Sequence, residues 1–144
     1  MTRMNLTLEQ LFWLPFLLHF ALVVALYAWL TVLRQTAMAK GEVAARDFVN
    51  AGADPSRSKR VARNLSNQFE LPVYAVFAAL FIAFSHKVTP LDVAAAWLFL
   101  GGQIVHTLIQ TLTMNVPLRG WVFTLNFAGV VMLMVHVARI VFGI

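Results

Sequence analysis

The sequence contains no cysteine among its 144 residues. That absence excludes a disulfide scaffold, and it excludes any metal or catalytic site built on the protein's own thiolates. Charged residues are also scarce, at 12% of the chain, against about 25% in an average soluble domain. Hydrophobic residues make up 60%. Because a soluble fold of this size leaves about 30% of the unfolded chain's surface exposed, it has no place for so much apolar surface. The sequence therefore predicts a membrane protein.

Four runs of the sequence are long and apolar enough to cross a bilayer, which takes about 20 residues of helix. We predict spans at about 11–33, 61–85, 93–115 and 117–140, with a connection at about 34–60 between the first two. Proline and capping residues precede the third span, and Asn115-Val116-Pro117 separates it from the fourth. Since the spans use most of the chain, we predict one all-α membrane domain, a four-helix bundle over residues 1–144.

The positive charges are unevenly distributed along the chain. Eight of the eleven Lys and Arg lie on the first connection, just inside the second span, or at the turn before the fourth. The other three are Arg3, Lys87 and Arg139. The positive-inside rule then places the first connection in the cytoplasm and both termini outside. In a soluble protein the net charge of +5 would suggest nucleic acid, but here the charges follow the membrane segments, so we expect membrane lipid and no nucleic-acid partner.

The second span carries a stripe of polar residues. Arg60, Arg63, Asn67, Glu70 and Tyr74 are spaced 3, 4, 3 and 4 apart. At about 100° per residue they fall in one narrow sector of the helix, which Pro72 should bend. Ionisable groups inside a membrane segment cost at least a few kcal/mol and normally face a partner or a wet cavity. Two interpretations follow: an Arg–Glu network that ties helices together, or a ligand site in which Glu70 meets a cation.

The third span repeats this geometry with uncharged residues. Gln103, His106, Gln110 and Thr113 are spaced 3, 4 and 3 apart, and such residues act either as interhelical hydrogen-bonders or as ligand contacts. Arg119 follows at the start of the fourth helix. An arginine at a helix N-terminus favours an anion such as a carboxylate or a thiolate. The four histidines show no ligand spacing and no HExxH motif is present, so we predict no metal site.

These motifs are similar to those of a known family. Arg60-x-x-Arg63-x-x-x-Asn67-x-x-Glu70-x-Pro72 resembles the second-helix signature of the MAPEG family, membrane-associated proteins in eicosanoid and glutathione metabolism. His106-Thr107 is similar to that family's third-helix element, and Val116-Pro117-Leu118-Arg119 resembles its Pro-x-Arg opening of the fourth helix. The span count and the basic first connection also match, so the resemblance covers nearly the whole chain.

The resemblance, to a bacterial-type member, implies a homotrimer in the inner membrane. Its site would lie between neighbouring subunits near the cytoplasmic face. It implies glutathione as co-substrate and a transferase or peroxidase reaction on a lipophilic small molecule that arrives from the bilayer. Arg119 would have the catalytic role of stabilising the glutathione thiolate. The residues that would hold glutathione are Arg60, Arg63, Asn67, Glu70, Tyr74, His106 and Gln110, with Glu70 on the ammonium.

The sequence also departs from that family's pattern. Gln110 stands where better-known enzymes carry Tyr, and Gly120 follows Arg119 where some members have Ser. Two other functions therefore stay open. One is a non-catalytic member of the same fold that binds a lipid or small amphiphile in the same cleft. The other is a structural subunit of a larger membrane complex.

Overall fold

The computed structural model describes residues 6–49 and 54–144. Over these residues the chain forms α1 (Leu8–Ala39), a 3₁₀ helix (Ala45–Val49), α2 (Ser56–Asn67), α3 (Leu71–Phe84), α4 (Pro90–Leu112) and α5 (Val116–Phe142). The predicted all-helical fold is confirmed. Arg3, which entered the orientation argument, and residues 50–53 of the first connection lie outside the described residues.

Four helices in the described part of the chain are long and apolar enough to cross a membrane. They are α1, α4, α5 and a second span, Ser56–Phe84, that combines α2 with α3. The outer faces of the bundle carry large apolar side chains with wide exposure, for example Leu17, Phe20 and Trp121 at 64%, 67% and 74%. Such faces are stable in contact with lipid and not with water. The protein is an integral membrane protein.

The second span is broken in the middle, where the sequence predicts that Pro72 bends the helix. Residues 68–70 form a turn in which Gln68 and Phe69 bond three residues back, to Leu65 and Ser66. The cause is Pro72, which has no N–H to give the carbonyl of Gln68 and whose ring would clash with that carbonyl. Proline instead occupies the first turn of α3, where it is tolerated.

Two glycines allow α4 and α5 to approach closely. A Cβ added at Gly102 would lie 2.7 Å from Cβ of Asn126, and one added at Gly129 would lie 2.9 Å from the carbonyl oxygen of Ala95. Carbon atoms in ordinary contact are about 3.5–4.0 Å apart. The two helix backbones therefore meet at a distance that only glycine permits at these two positions.

Two clusters of buried apolar residues fill the bundle. The larger joins α1, α3, α4 and α5 around Phe12, Phe99 and Leu133, and the smaller joins α1 to α2 around Leu26 and Val61. The smaller cluster lies on the half of the bundle that contains α2. It fixes the rotation of α2 about its axis, so that the polar face of α2 is directed toward α4.

Candidate functional site

A cavity of about 430 Å³ opens where α2 meets the turn between α4 and α5. Its lining comes from all three helices and from that turn. The lining residues are Ser56, Lys59, Arg60, Arg63, Ile109, Gln110, Thr113, Met114, Asn115, Val116 and Arg119.

The cavity lining is strongly basic. Lys59, Arg60, Arg63 and Arg119 all contribute to it, and none of the described residues in the lining is acidic. Within the described chain Nε of Arg60 is buried with no hydrogen-bond partner, and one terminal nitrogen of this guanidinium lies 3.2 Å from the sulfur of Met114. A buried donor without a partner is costly. The lining therefore suits an anion that carries several acceptor atoms.

The start of α5 adds to this preference for an anion. Asn115 caps the helix by accepting a hydrogen bond from N–H of Leu118 at 3.0 Å, and Arg119 follows within the first two turns, half-buried. The N-terminus of a helix carries about half a positive charge. The N–H groups of Leu118 and Arg119 already donate to Asn115, and Pro117 has none, so the helix dipole and the Arg119 guanidinium are what attract an anion here.

A buried hydrogen-bond network adjoins the cavity and links three helices. Gln110 on α4 accepts through Oε1 from Nδ2 of Asn67 at 2.9 Å and from Nδ2 of Asn64 at 3.5 Å. Thr107 donates to Oδ1 of Asn64 at 3.1 Å. Gln68 lies within 2.9 Å of Nε2 of His19 on α1. Polar side chains buried in a membrane protein need such partners, because lipid supplies none.

The structure brings four of the predicted site residues together at the cavity: Arg60, Arg63, Gln110 and Arg119. Asn67 adjoins them through its bond to Gln110. The polar face of α2 and the start of α5 therefore line the same space.

The other three predicted site residues lie apart from this cavity. Glu70 is in the turn between α2 and α3 and is exposed, and Tyr74 is exposed by 59% on α3. Glu70 lies within the break at residues 68–70 and Tyr74 follows it, and neither belongs to the cavity lining. His106 is buried against Phe123, with ring centroids 5.9 Å apart.

Sequence reasoning missed Lys59 in the lining and missed Asn64, Gln68 and His19 in the network. Asn64 and Gln68 are four residues apart and share one helix face, so a wider polar sector on α2 was visible in the sequence. His19 offered no such signal, since it lies alone in an apolar run.

The sequence model of the MAPEG family matches residues 12–139. The chain belongs to the MAPEG family. Comparison with curated proteins and with solved structures gave no match. The family includes glutathione-dependent transferases and peroxidases, and its members typically use glutathione. Among the residues that the structure describes, no three His, Asp or Glu side chains are grouped as metal ligands.

Proposed function

We propose that the protein is a membrane-embedded, glutathione-dependent transferase or peroxidase that acts on lipophilic electrophiles. The observation that carries this proposal is the cavity in which four cationic side chains and the start of α5 surround one space, with no acidic residue among the described residues of its lining. Glutathione has two carboxylates and one ammonium, and its thiolate form adds a further negative charge. The donor set of the cavity fits its anionic groups.

In this proposal each cavity residue has a role in binding or in stabilising the thiolate. Arg60 and Arg63 bind carboxylate, with Asn67 and Gln110 beside them, and His106 supports the α4–α5 side of the site. Arg119 stabilises the thiolate: each tenfold gain in the thiolate fraction requires about 1.4 kcal/mol of preferential stabilisation, which one partly desolvated arginine supplies. Since the helices face lipid, an apolar electrophile reaches the sulfur from the bilayer.

The ammonium of glutathione needs a carboxylate partner, and in our proposal that carboxylate comes from a residue outside the cavity lining. Glu70 and Tyr74 are exposed on their own subunit. We propose that the protein is a homotrimer in which Glu70 and Tyr74 contribute to a site between neighbouring subunits. Cross-linking in detergent should then yield a species of three chains, and a monomeric product alone would contradict this assembly.

We also propose that the end of the bundle with the cavity faces the cytoplasm of a bacterial cell. This end carries the first connection, with Arg46, and the start of α2, with Arg57 and Lys59. The positive-inside rule supports that orientation. A single cysteine introduced at Arg57 should react with a membrane-impermeant thiol reagent in inside-out vesicles and not in intact spheroplasts.

Calorimetric titration of the detergent-solubilised protein with glutathione tests the binding step, and conjugation to an electrophilic aryl halide tests the reaction. Arg119→Ala should lower kcat by about 10²-fold, as the loss of one oxyanion donor does. Arg139→Ala, on the same helix but outside the cavity, should keep full activity. Absence of turnover by the wild-type protein with several electrophiles would refute the enzyme proposal.

A second function is favoured by the apolar part of the lining. Ile109, Met114 and Val116 line the cavity beside the cations, and Leu112 and Leu118 are exposed close by in sequence. An amphiphile with an anionic headgroup satisfies both halves. A non-catalytic member would show saturable binding of such a lipid without any glutathione turnover.

A further inference from the structure

The buried network of His19, Gln68, Asn64, Thr107 and Gln110 ends at the cavity, because Gln110 belongs to the cavity lining. None of the five residues is more than 6% exposed. A glutamine amide has a donor end and an acceptor end of nearly equal size. Which end of Gln110 faces the cavity therefore decides whether this part of the wall attracts or repels an anion.

The orientation of the amides is fixed first at Gln68. Its terminal nitrogen lies 3.3 Å from the backbone carbonyl oxygen of Asn64. A carbonyl oxygen only accepts, so the atom of Gln68 facing it must be the NH₂ donor. Oε1 of Gln68 then faces His19, which lies 2.9 Å away and donates from Nε2.

The orientation of the Gln68 amide in turn fixes those of Asn64 and Gln110. The NH₂ group of Gln68 also lies 3.4 Å from the side chain of Asn64, so the Asn64 atom that it meets is the oxygen Oδ1. The hydroxyl of Thr107 donates to that same oxygen at 3.1 Å. Nδ2 of Asn64 is left to face Gln110, and the atom of Gln110 that it meets, 3.5 Å away, is the oxygen Oε1.

Asn67 reinforces this result from the other side. Its Nδ2 donates to the same Oε1 of Gln110 at 2.9 Å. With Oε1 held by two amide nitrogens, reversing the Gln110 amide would set NH₂ groups against each other, or would require Asn64 and Gln68 to reverse as well. The network therefore resists a reversal as a unit.

We propose that Gln68 and Asn64 are positioning residues that hold the NH₂ group of Gln110 toward the cavity, so that Gln110 selects for a carboxylate or other anionic acceptor. This inference rests on the proposed function only in requiring that the cavity binds an anion. Gln110 then acts as a hydrogen-bond donor next to Arg60 and Arg63. Two of the residues that fix its donor end, Asn64 and Gln68, are not part of the cavity lining.

A double-mutant cycle tests whether Asn64 acts through Gln110. We expect Asn64→Leu and Gln110→Leu each to weaken glutathione binding about five- to tenfold. The double variant should bind no more weakly than Gln110→Leu alone, because the first change has nothing left to position. Losses that multiply in the double variant would overturn the proposal.

Thr107→Val provides a milder variant that removes only the hydroxyl donor to Asn64. It should weaken binding two- to fivefold in the wild-type background and not at all in Gln110→Leu. Thr124→Val is the matched control, because the hydroxyl of Thr124 bonds within its own helix, to the carbonyl of Gly120. It should leave binding unchanged. If Asn64→Leu does not fold, Thr107→Val takes its place in the double-mutant cycle with Gln110→Leu.

Nuclear magnetic resonance of protein labelled with ¹⁵N at the glutamine side-chain amides tests whether the NH₂ group of Gln110 contacts the ligand. The chain has five glutamines, and Gln110→Leu assigns the relevant signal. Binding of glutathione should shift the NH₂ protons of Gln110, and Asn64→Leu should reduce that shift. A Gln110 signal that does not move in the wild-type protein on saturation would refute the inference.

Inorganic sulfate separates this inference from the enzyme proposal. If the wild-type protein binds sulfate but not glutathione, the proposed function is refuted. The positioning role of Asn64 and Gln68 is then tested with sulfate as the ligand, in the same double-mutant cycle and by the same Gln110 NH₂ chemical shifts. If neither anion binds, the cavity is not an anion site and the positioning role is overturned too.

Discussion

Alanine substitutions at the neighbouring glycines 101 and 102 should differ in their effects on stability. Gly101 and Gly102 are adjacent in α4, so the intrinsic gain in helix propensity on going from glycine to alanine, about 1 kcal/mol, is the same for both. They differ in surroundings. Nothing lies within 4 Å of a Cβ added at Gly101, whereas one added at Gly102 meets Asn126.

The magnitude follows from the contact distances at Gly102. The added Cβ would lie 2.7 Å from Cβ and 2.9 Å from Cα of Asn126, and Cα cannot move without the helix that carries it. Restoring an ordinary carbon–carbon contact therefore requires α5 to shift by about 0.8 Å or more. Overpacking of this kind costs about 1–3 kcal/mol. The propensity gain cancels in the comparison, so Gly102→Ala should be less stable than Gly101→Ala by about 1–3 kcal/mol.

Denaturant unfolding of the two variants and the wild-type protein in the same detergent measures this difference. Gly101→Ala should be as stable as the wild-type protein or slightly more stable, and Gly102→Ala should be less stable than both. Gly129→Ala should behave like Gly102→Ala, because its Cβ would meet the backbone of α4 at 2.9 Å. If Gly102→Ala proves as stable as Gly101→Ala, the close approach of α4 and α5 is incorrect.

Three further predictions concern the ends of the helices and the cavity. Asp92→Ala should lower the free energy of unfolding by about 1–3 kcal/mol. The reason is that the Asp92 carboxylate accepts from the N–H and the hydroxyl of Thr89, at 2.8 and 2.7 Å, and lies 2.8 Å from Nδ1 of His136. An unchanged free energy in denaturant unfolding would contradict this prediction. Two hydrogen bonds from the Arg34 guanidinium lower the pKa of the Asp54 carboxyl. The stability from this pair should therefore be complete above the usual aspartate pKa and be lost as the pH falls through the lowered value. On acidification, Asp54→Asn should lose less of its free energy of unfolding than the wild-type protein does, as denaturant unfolding at several pH values would show. Calorimetry at rising ionic strength should give a larger Kd for glutathione, since the cavity binds through charges that salt screens; a Kd independent of salt would contradict that view of the site.

Local sequence patterns were sufficient for the membrane architecture. Length and hydropathy predicted four spans because a helix in lipid satisfies its own backbone and needs only apolar side chains of sufficient length. The start of α5 was also predictable, since Asn115 and Pro117 act on neighbouring backbone groups. The spacing of Arg60 and Arg63 placed both on one helix face, which the cavity confirms.

The tertiary structure alone decided which polar residues meet. Gln110 bonds to Asn67 and Asn64, 43 and 46 positions away in the chain, and His19 meets Gln68 across 49 positions. Helical periodicity assigns a residue to a face of its own helix, but not the rotation and crossing of that helix against another. Glu70 and Tyr74 lie within and after the break before Pro72 and do not line the cavity with Arg63, because the direction of a chain after a turn depends on the packing of both flanking helices.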